Sequence, residues 1–323
     1  MKTRLHNGLG LAAMAAVASL VGCNPSQLPL SAPGAVPPAS KAVPARQALL
    51  YVAHNAGYKT HEKTGLTILT YPQGIVTASI PVKGYIGGLC TDNEGNVWMP
   101  YNFNYRAYVA EFRHGGTKPI LQLRLPKDSF AYGCAIDPTS GDLAVMSDTS
   151  TYSGSVTIWK AAQKGSRTLY RTPFVPEYGA YDDAGNLYID GFPGGSDFWL
   201  EFGELPKGSP KVVRVALDRV GDAVGGVQWD GKYVVIATDV VADYGRRIFD
   251  VVVSGSNGHV AAAWHMNDMS QTSPIYVDGS AVIGVTSYTG SRQHVATWLY
   301  PGGGQPSKYK HDFHHVAGVT VSK

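Results

Sequence analysis

Charge is scarce in this chain. Asp, Glu, Lys and Arg make up 16% of its 323 residues, low for a helical protein and ordinary for packed sheets. No basic run or stripe occurs. The formal net charge is +3, of which Lys2 and Arg4 supply two, so nucleic acid is not an expected partner. No convincing amphipathic helix interrupts the sequence. The apolar stretch from Leu9 to Val21 is broken by Gly10 and Ser19 and is too short to span a bilayer comfortably. Also missing are a Ser-His-Asp pattern of known order and a phosphate-binding loop, so neither chemistry has a motif to stand on.

What is present is glycine, tyrosine and a repeat. Gly occurs 38 times and Tyr 19 times, as expected of many short strands joined by tight turns. Gly88-Leu89-Cys90-Thr91-Asp92-Asn93-Glu94-Gly95-Asn96-Val97-Trp98 reads as a strand, an Asp/Asn/Gly turn and a second strand. Copies begin at Gly133, Gly179 and Gly226, with weaker ones at Pro274 and Gly318, spaced 45, 46, 47, 48 and 44 residues. A β-pattern with this period is the mark of propeller blades. Leu49 to Ala53 reads as the second strand of a blade with no first strand before it, and Val316 to Ser322 supplies one at the far end. Six first strands then match six sets of three, and the ring has no free edge. The expected fold is an all-β, six-bladed propeller of four-stranded antiparallel blades, closed by the C-terminal strand.

The repeat resembles the blades of NHL-type and gluconolactonase-like propellers, which often read Gly-(Val/Ile)-Ala-(Val/Ile)-Asp-x-x-Gly-Asn-(Leu/Ile)-Tyr-Val. Gly133 to Val145 and Gly179 to Ile189 match best, and the resemblance spans about Ala48 to Lys323. It implies the fold. It carries over no catalytic residue, because the acidic and amide set of a lactonase finds no residue-by-residue match and His259 and His265 stand without the motif of a lyase.

The N-terminus reads as an address. Lys2 and Arg4 precede the apolar stretch, and Leu20-Val21-Gly22-Cys23 resembles the lipobox of bacterial lipoproteins at all four positions. The resemblance implies a signal peptide over 1–22, lipidation of Cys23 and anchoring to a membrane. Asn24, in place of the usual retention Asp, favours the outer membrane in a diderm host. Residues 23–46, rich in Pro, Ala and Ser, read as an extended tether, and 47–323 as the propeller.

Function has fewer markers. Loops after the second strands gather at one mouth of the channel, and each holds an aromatic: Tyr58, Tyr101 and Tyr105, Tyr152, Phe192, Tyr244 and Tyr288. Such a ring suits a flat ligand, although each of these side chains also suits packing between blades. His54, Asp128, Glu177, Asp222, His314 and His315 are the titratable groups expected near the same mouth. No metal or other cofactor is called for. Cys90 and Cys134 sit in adjacent first strands one position out of phase, and a disulfide and a pair of buried thiols both fit. The favoured reading is a monomeric, lipid-anchored extracytoplasmic module that binds a protein, peptide or carbohydrate without catalysis. The alternatives are a metal-dependent hydrolase, lactonase-like, or a lyase at the channel mouth, and a structural protein of the envelope.

Overall fold

Strands that are apolar on both faces dictate the architecture. In Leu49–Asn55, side chains alternate between two sides. Leu49, Tyr51 and Ala53 pack against Val97, Met99 and Phe112, whereas Leu50 and Val52 pack against Ile283, Val285 and Val295. A sheet built from such strands needs a neighbour on each face. The computed structural model describes residues 46–57, 63–149, 154–195, 199–219, 221–240, 245–289 and 292–323, and in it six sheets meet that need as a ring.

From the channel outward, blade 1 is His315–Ser322, Leu49–Asn55, Gly65–Thr70 and Val76–Pro81. Blade 2 is Tyr85–Ile86 with Cys90–Thr91, then Val97–Phe103, Arg106–Phe112 and Pro119–Arg124. Blade 3 is Ser129–Ile136, Leu143–Thr149, Gly154–Trp159 and Arg167–Thr172. Blade 4 is Val175–Tyr181, Leu187–Phe192, Glu201–Leu205 and Val213–Arg214. Blade 5 is Val227–Trp229, Val234–Val240, Gly245–Ser254 and Asn257–His265, with Ala216–Leu217 added in parallel at its outer edge. Blade 6 is Tyr276–Asp278, Ala281–Val285, Gln293–Leu299 and Gly303–Phe313. Six apolar clusters fill the six gaps between neighbouring blades. The single helical turn among the described residues is Lys160–Ala162.

The expected closure is present. His315–Ser322 pairs antiparallel with Leu49–Asn55, from Leu49 opposite Ser322 to Asn55 opposite His315, with a bulge between Ala53 and His54. Buried Val316, Val319 and Val321 complete the gap between blades 6 and 1.

The repeated turn is a side-chain staple. Asp92 accepts the backbone N–H groups of Glu94 and Asn96 at 2.9 and 2.8 Å, and its second oxygen takes the Asn96 amide and the Trp98 indole N–H. Asp182 repeats the set with Ala184, Asn186 and the Tyr188 hydroxyl. The glycine in each turn, Gly95 and Gly185, takes φ of 81° and 83°, a conformation that strains any residue with a Cβ.

Amide side chains tie one blade to the next. Asn55 of blade 1 donates to the carbonyl of Ile86 in blade 2 at 2.9 Å and accepts its N–H at 2.8 Å. Asn102 of blade 2 does the same to Ala131 of blade 3. Gln293 of blade 6 accepts the N–H of Val316 in the closing strand. Cys90 and Cys134 form a disulfide between the innermost strands of blades 2 and 3.

Deleting Val316–Lys323 uncovers one edge of Leu49–Asn55 and half an apolar gap; the truncated protein is expected to lose its cooperative thermal transition, and a melt like that of the intact chain would sink the closure. Asn55→Ala strands a buried N–H and a buried carbonyl and is expected to lower stability by about 2–3 kcal/mol in urea unfolding, whereas Asn102→Ala, at a half-buried site, lowers it by about 1 kcal/mol. Equal losses would show that burial does not set the strength of the tie.

Candidate functional site

The innermost strands approach so closely that only glycine fits at their crossings. A Cβ on Gly133 would lie 2.6 Å from the carbonyl oxygen of Glu177, one on Gly226 2.5 Å from the backbone of Ile275, and one on Gly318 2.8 Å from that of Leu89. These contacts pinch the channel to a cavity of about 20 Å³ lined by all six blades, room for about one water. The waist separates two mouths. At the turn end lies a vestibule of about 250 Å³ containing Thr91, Tyr181, Gln228, Trp229, Thr320 and the disulfide.

The other mouth, here called the loop end, is built where innermost strands begin and second strands finish. Register places Tyr85 beside Asn102, Ser129 beside Thr149, and Val175 beside Phe192. Rings run around it from blade to blade. The Tyr288 hydroxyl of blade 6 hydrogen-bonds His315 Nδ1 of blade 1 at 2.7 Å. His315 lies 6.4 Å from Tyr85 of blade 2, Tyr85 lies 5.6 Å from Phe130 of blade 3, and Phe130 lies 5.3 Å from Tyr132. The six exposed aromatic side chains among the described residues are Tyr85, Phe103, Tyr105, Phe130, Trp199 and Tyr288. All six sit at the loop end, on strand starts or on loops that follow second strands. A groove of about 460 Å³ between blades 2 and 3 is lined by Tyr85, Phe103, Tyr105, Asp128, Phe130 and Asp148.

Below the rings are carboxyls. A bulge between Pro176 and Gly179 interrupts the innermost strand of blade 4 and turns Glu177 toward Tyr85 and Tyr132. Among the described residues its carboxyl makes no hydrogen bond or ion pair, and burial pushes its pKa up to about 7. Tyr178, next along, packs between blades 4 and 5 and gives its N–H to Asp190 Oδ1 at 2.9 Å. Asp190 is fully buried, and its Oδ2 has no hydrogen-bond partner among the described residues. Burial, and then the charge of Glu177, hold it well above the usual carboxylate range. Burial also raises Asp148, which takes the Tyr132 hydroxyl at 3.3 Å, and lowers His315. Acids whose pKa values burial raises, set beneath an aromatic collar, are the arrangement expected of a binding or proton-handling site.

The structure redistributes the residues singled out from sequence. Glu177, Tyr105, Tyr288 and His315 lie at the loop end, with Asp128 in the groove. Asp222 is half-buried beside blade 5, where its N–H bonds the carbonyl of Asp239 at 2.8 Å, and Phe192 ends the second strand of blade 4 half-buried. His54 is a correction. Its ring meets Thr67 at 3.2 Å and Phe313 at 5.5 Å, in a side cleft between blades 1 and 6, because strand alternation turns it away from His315. Tyr101 is another: it stacks on Tyr108 at 5.4 Å and accepts a hydrogen bond from Gln122, along the blade face. His314 is buried. His259 and His265 sit on the outer strand Asn257–His265, away from the channel. Cys23, Tyr58, Tyr152 and Tyr244 lie outside the described residues. Among the described residues no three His, Cys, Asp or Glu side chains converge as metal ligands.

Sequence reasoning passed over Tyr85, Phe130, Tyr132, Trp199 and Asp190. The signal available was aromatics just upstream of the repeat glycine, in Tyr85-Ile86-Gly87-Gly88 and Phe130-Ala131-Tyr132-Gly133.

No protein-family model matches this chain, and no curated protein does. Solved structures share its fold at low identity. A protein of unknown function from Bacteroides caccae superposes with a TM-score of 0.59 at 10% identity, over 86% of this chain and 100% of that one. TolB from Acinetobacter baumannii gives 0.58 at 13% identity, over 85% of this chain and 66% of that one. A candidate 6-phosphogluconolactonase from Bacteroides fragilis gives 0.55 at 11% identity, over 88% of this chain and 100% of that one. Likeness at this level establishes the β-propeller fold and leaves the chemistry open.

Proposed function

We propose that this protein is an extracytoplasmic binding module, held to a membrane by lipid on Cys23, whose recognition face is the loop end of the channel. The observation that carries the face is the gathering of all six exposed aromatics of the described residues at that one end. Scattered exposed rings need no explanation, but a set confined to one concave face is the usual mark of a binding surface. Tyrosine, tryptophan and phenylalanine offer large contact area with few rotors to immobilise, which suits a peptide or a carbohydrate. The lipid anchor is supported by Leu20-Val21-Gly22-Cys23 after a basic, apolar leader.

A catalytic reading, as a hydrolase or lyase, draws support from Glu177 alone. A carboxyl with a pKa near 7 is matched to proton transfer at neutral pH. Turnover of a lactone by the wild type that Glu177→Gln abolishes would favour this second reading.

In a bacterial host fed an alkynyl fatty acid, the protein is expected to carry the label and Cys23→Ser to lose it; labelling of the variant would remove the anchor. In glycan and peptide binding screens, the double change Tyr85→Ala with Phe130→Ala is expected to weaken the selected ligand at least tenfold, about 1.4 kcal/mol, and Trp229→Ala at the turn end to leave it unchanged. The reverse pattern would move the recognition face to the other mouth.

A further inference from the structure

We propose that Glu177 anchors a primary ammonium group that enters the loop end end-on, through the collar of rings above it. This deepens the reading of the loop end as the recognition face and rests on it. The first ground is a carboxyl without a partner. Glu177 sits at a strand bulge near the loop end, and no hydrogen bond or ion pair from the described residues compensates it. A half-buried acid shielded from water by its neighbours costs stability when left unpaired, and a ligand that supplies the missing positive charge recovers it.

The walls point to the same chemistry. Tyr85 and Tyr132 face Glu177 from the innermost strands of blades 2 and 3, and Phe130 lies between their rings. Aromatic faces attract cations, most strongly where water is excluded, and they repel anions. Asp148 takes the Tyr132 hydroxyl and Asp190 the N–H of Tyr178, so an acid backs each tyrosine, while the cation Arg106 lines the adjoining groove. The floor sets the shape. Below Glu177 the channel closes to about 20 Å³, so a ligand cannot thread the ring and must present an end group. A primary ammonium on a slim alkyl stem fits these terms, as a free amine or as a lysine side chain.

The pH dependence follows from the groups that face Glu177. Tyr85, Tyr132 and Tyr178 have raised pKa values and do not ionise near neutrality. Asp148 and Asp190 are raised by burial, and His315, beyond Tyr85, is lowered by it. Glu177, at about 7, is the group that changes most between pH 6 and 8, and its ionised fraction falls about tenfold from pH 8 to pH 6. An ammonium ligand needs the ionised form, so affinity rises with pH and levels off above about 8. Stability of the free protein runs the other way. The folded pKa lies above the unfolded 4.5, so the contribution of Glu177 is complete below that pH and is lost as pH rises through 7.

The test titrates the purified full chain with n-butylammonium and with Nα-acetyl-lysine N-methylamide, by calorimetry at pH 8 and pH 6. Nα,Nε-diacetyl-lysine N-methylamide is the neutral control. The expected result is millimolar binding at pH 8 that weakens about tenfold at pH 6, and weakens at least tenfold at pH 8 in Glu177→Gln. Equal affinity for both amines identifies the ammonium alone as the determinant, and tighter binding of the lysine derivative identifies a peptide side chain. Glu177→Gln should also melt higher than wild type at pH 8 and no higher at pH 4, which shows that the variant is folded and that the charge was uncompensated. Binding of the diacetyl control as tight as that of the amines, retained affinity in Glu177→Gln, or pH dependence that persists in it would overturn the proposal. If the amines fail to bind while Tyr85→Ala with Phe130→Ala still disables the ligand found in the screens, Glu177 loses this role and the recognition face stands.

Discussion

Each sheet of this protein is apolar on both faces, and neither face can be left in water. Leu49–Asn55 shows the constraint in one strand, with alternate side chains committed to opposite neighbours. A stack of such sheets would always end in two exposed faces. Bending the stack into a ring removes both, and pairing the last strand with the second strand of the first blade removes the remaining weakness at the seam. The apolar gaps supply most of the cohesion, and the polar ties fix its geometry. Asn55, Asn102 and Gln293 each reach across a gap to the backbone of the next innermost strand. The disulfide adds a covalent link at one gap, closing a loop across 44 residues of sequence.

The ring places chemistry as a by-product of packing. Antiparallel order brings the starts of innermost strands and the ends of second strands to one end of the channel, where no apolar gap demands their side chains. Rings there can stay exposed, and a carboxyl can stay unpaired, because the surrounding sheets are stable without them. Glu177 illustrates this separation: burial raises its pKa, and the blade that carries it is held by Tyr181, Leu187 and Ile189 on one side and Tyr188, Phe202 and Val215 on the other. Local disadvantage in a rigid frame is a common signature of a site kept for use.

The fold was legible because its causes are periodic. A turn that needs Asp, two spacers, Gly and Asn leaves those letters in the sequence each time, and Asp92 and Asp182 bond them in the same way. The closing strand was legible by arithmetic, since Leu49–Asn55 lacks a partner upstream in the pattern. The site was less so, because its causes are irregular. Tyr85, Phe130 and Tyr132 lie inside strand-like segments, where an aromatic reads as packing, and only the ring geometry turns them to the channel. His54 is one residue from Asn55, yet alternation sends its ring to Phe313 in a side cleft and the Asn55 amide to Ile86 of the next blade. The bulge that sets Glu177 has no letter of its own: Val175-Pro176-Glu177-Tyr178-Gly179 contains no turn signal beyond its proline and glycine.

The glycine waist has a consequence for how the two ends of the molecule relate. A passage that admits about one water conducts no solute, so whatever reaches Trp229 and the disulfide at one end is chemically isolated from what reaches Glu177 at the other. The two openings are blind cups set back to back on a shared partition. A side chain changed in one cup therefore has no route through the channel to the other, so long as the glycines of the partition are kept.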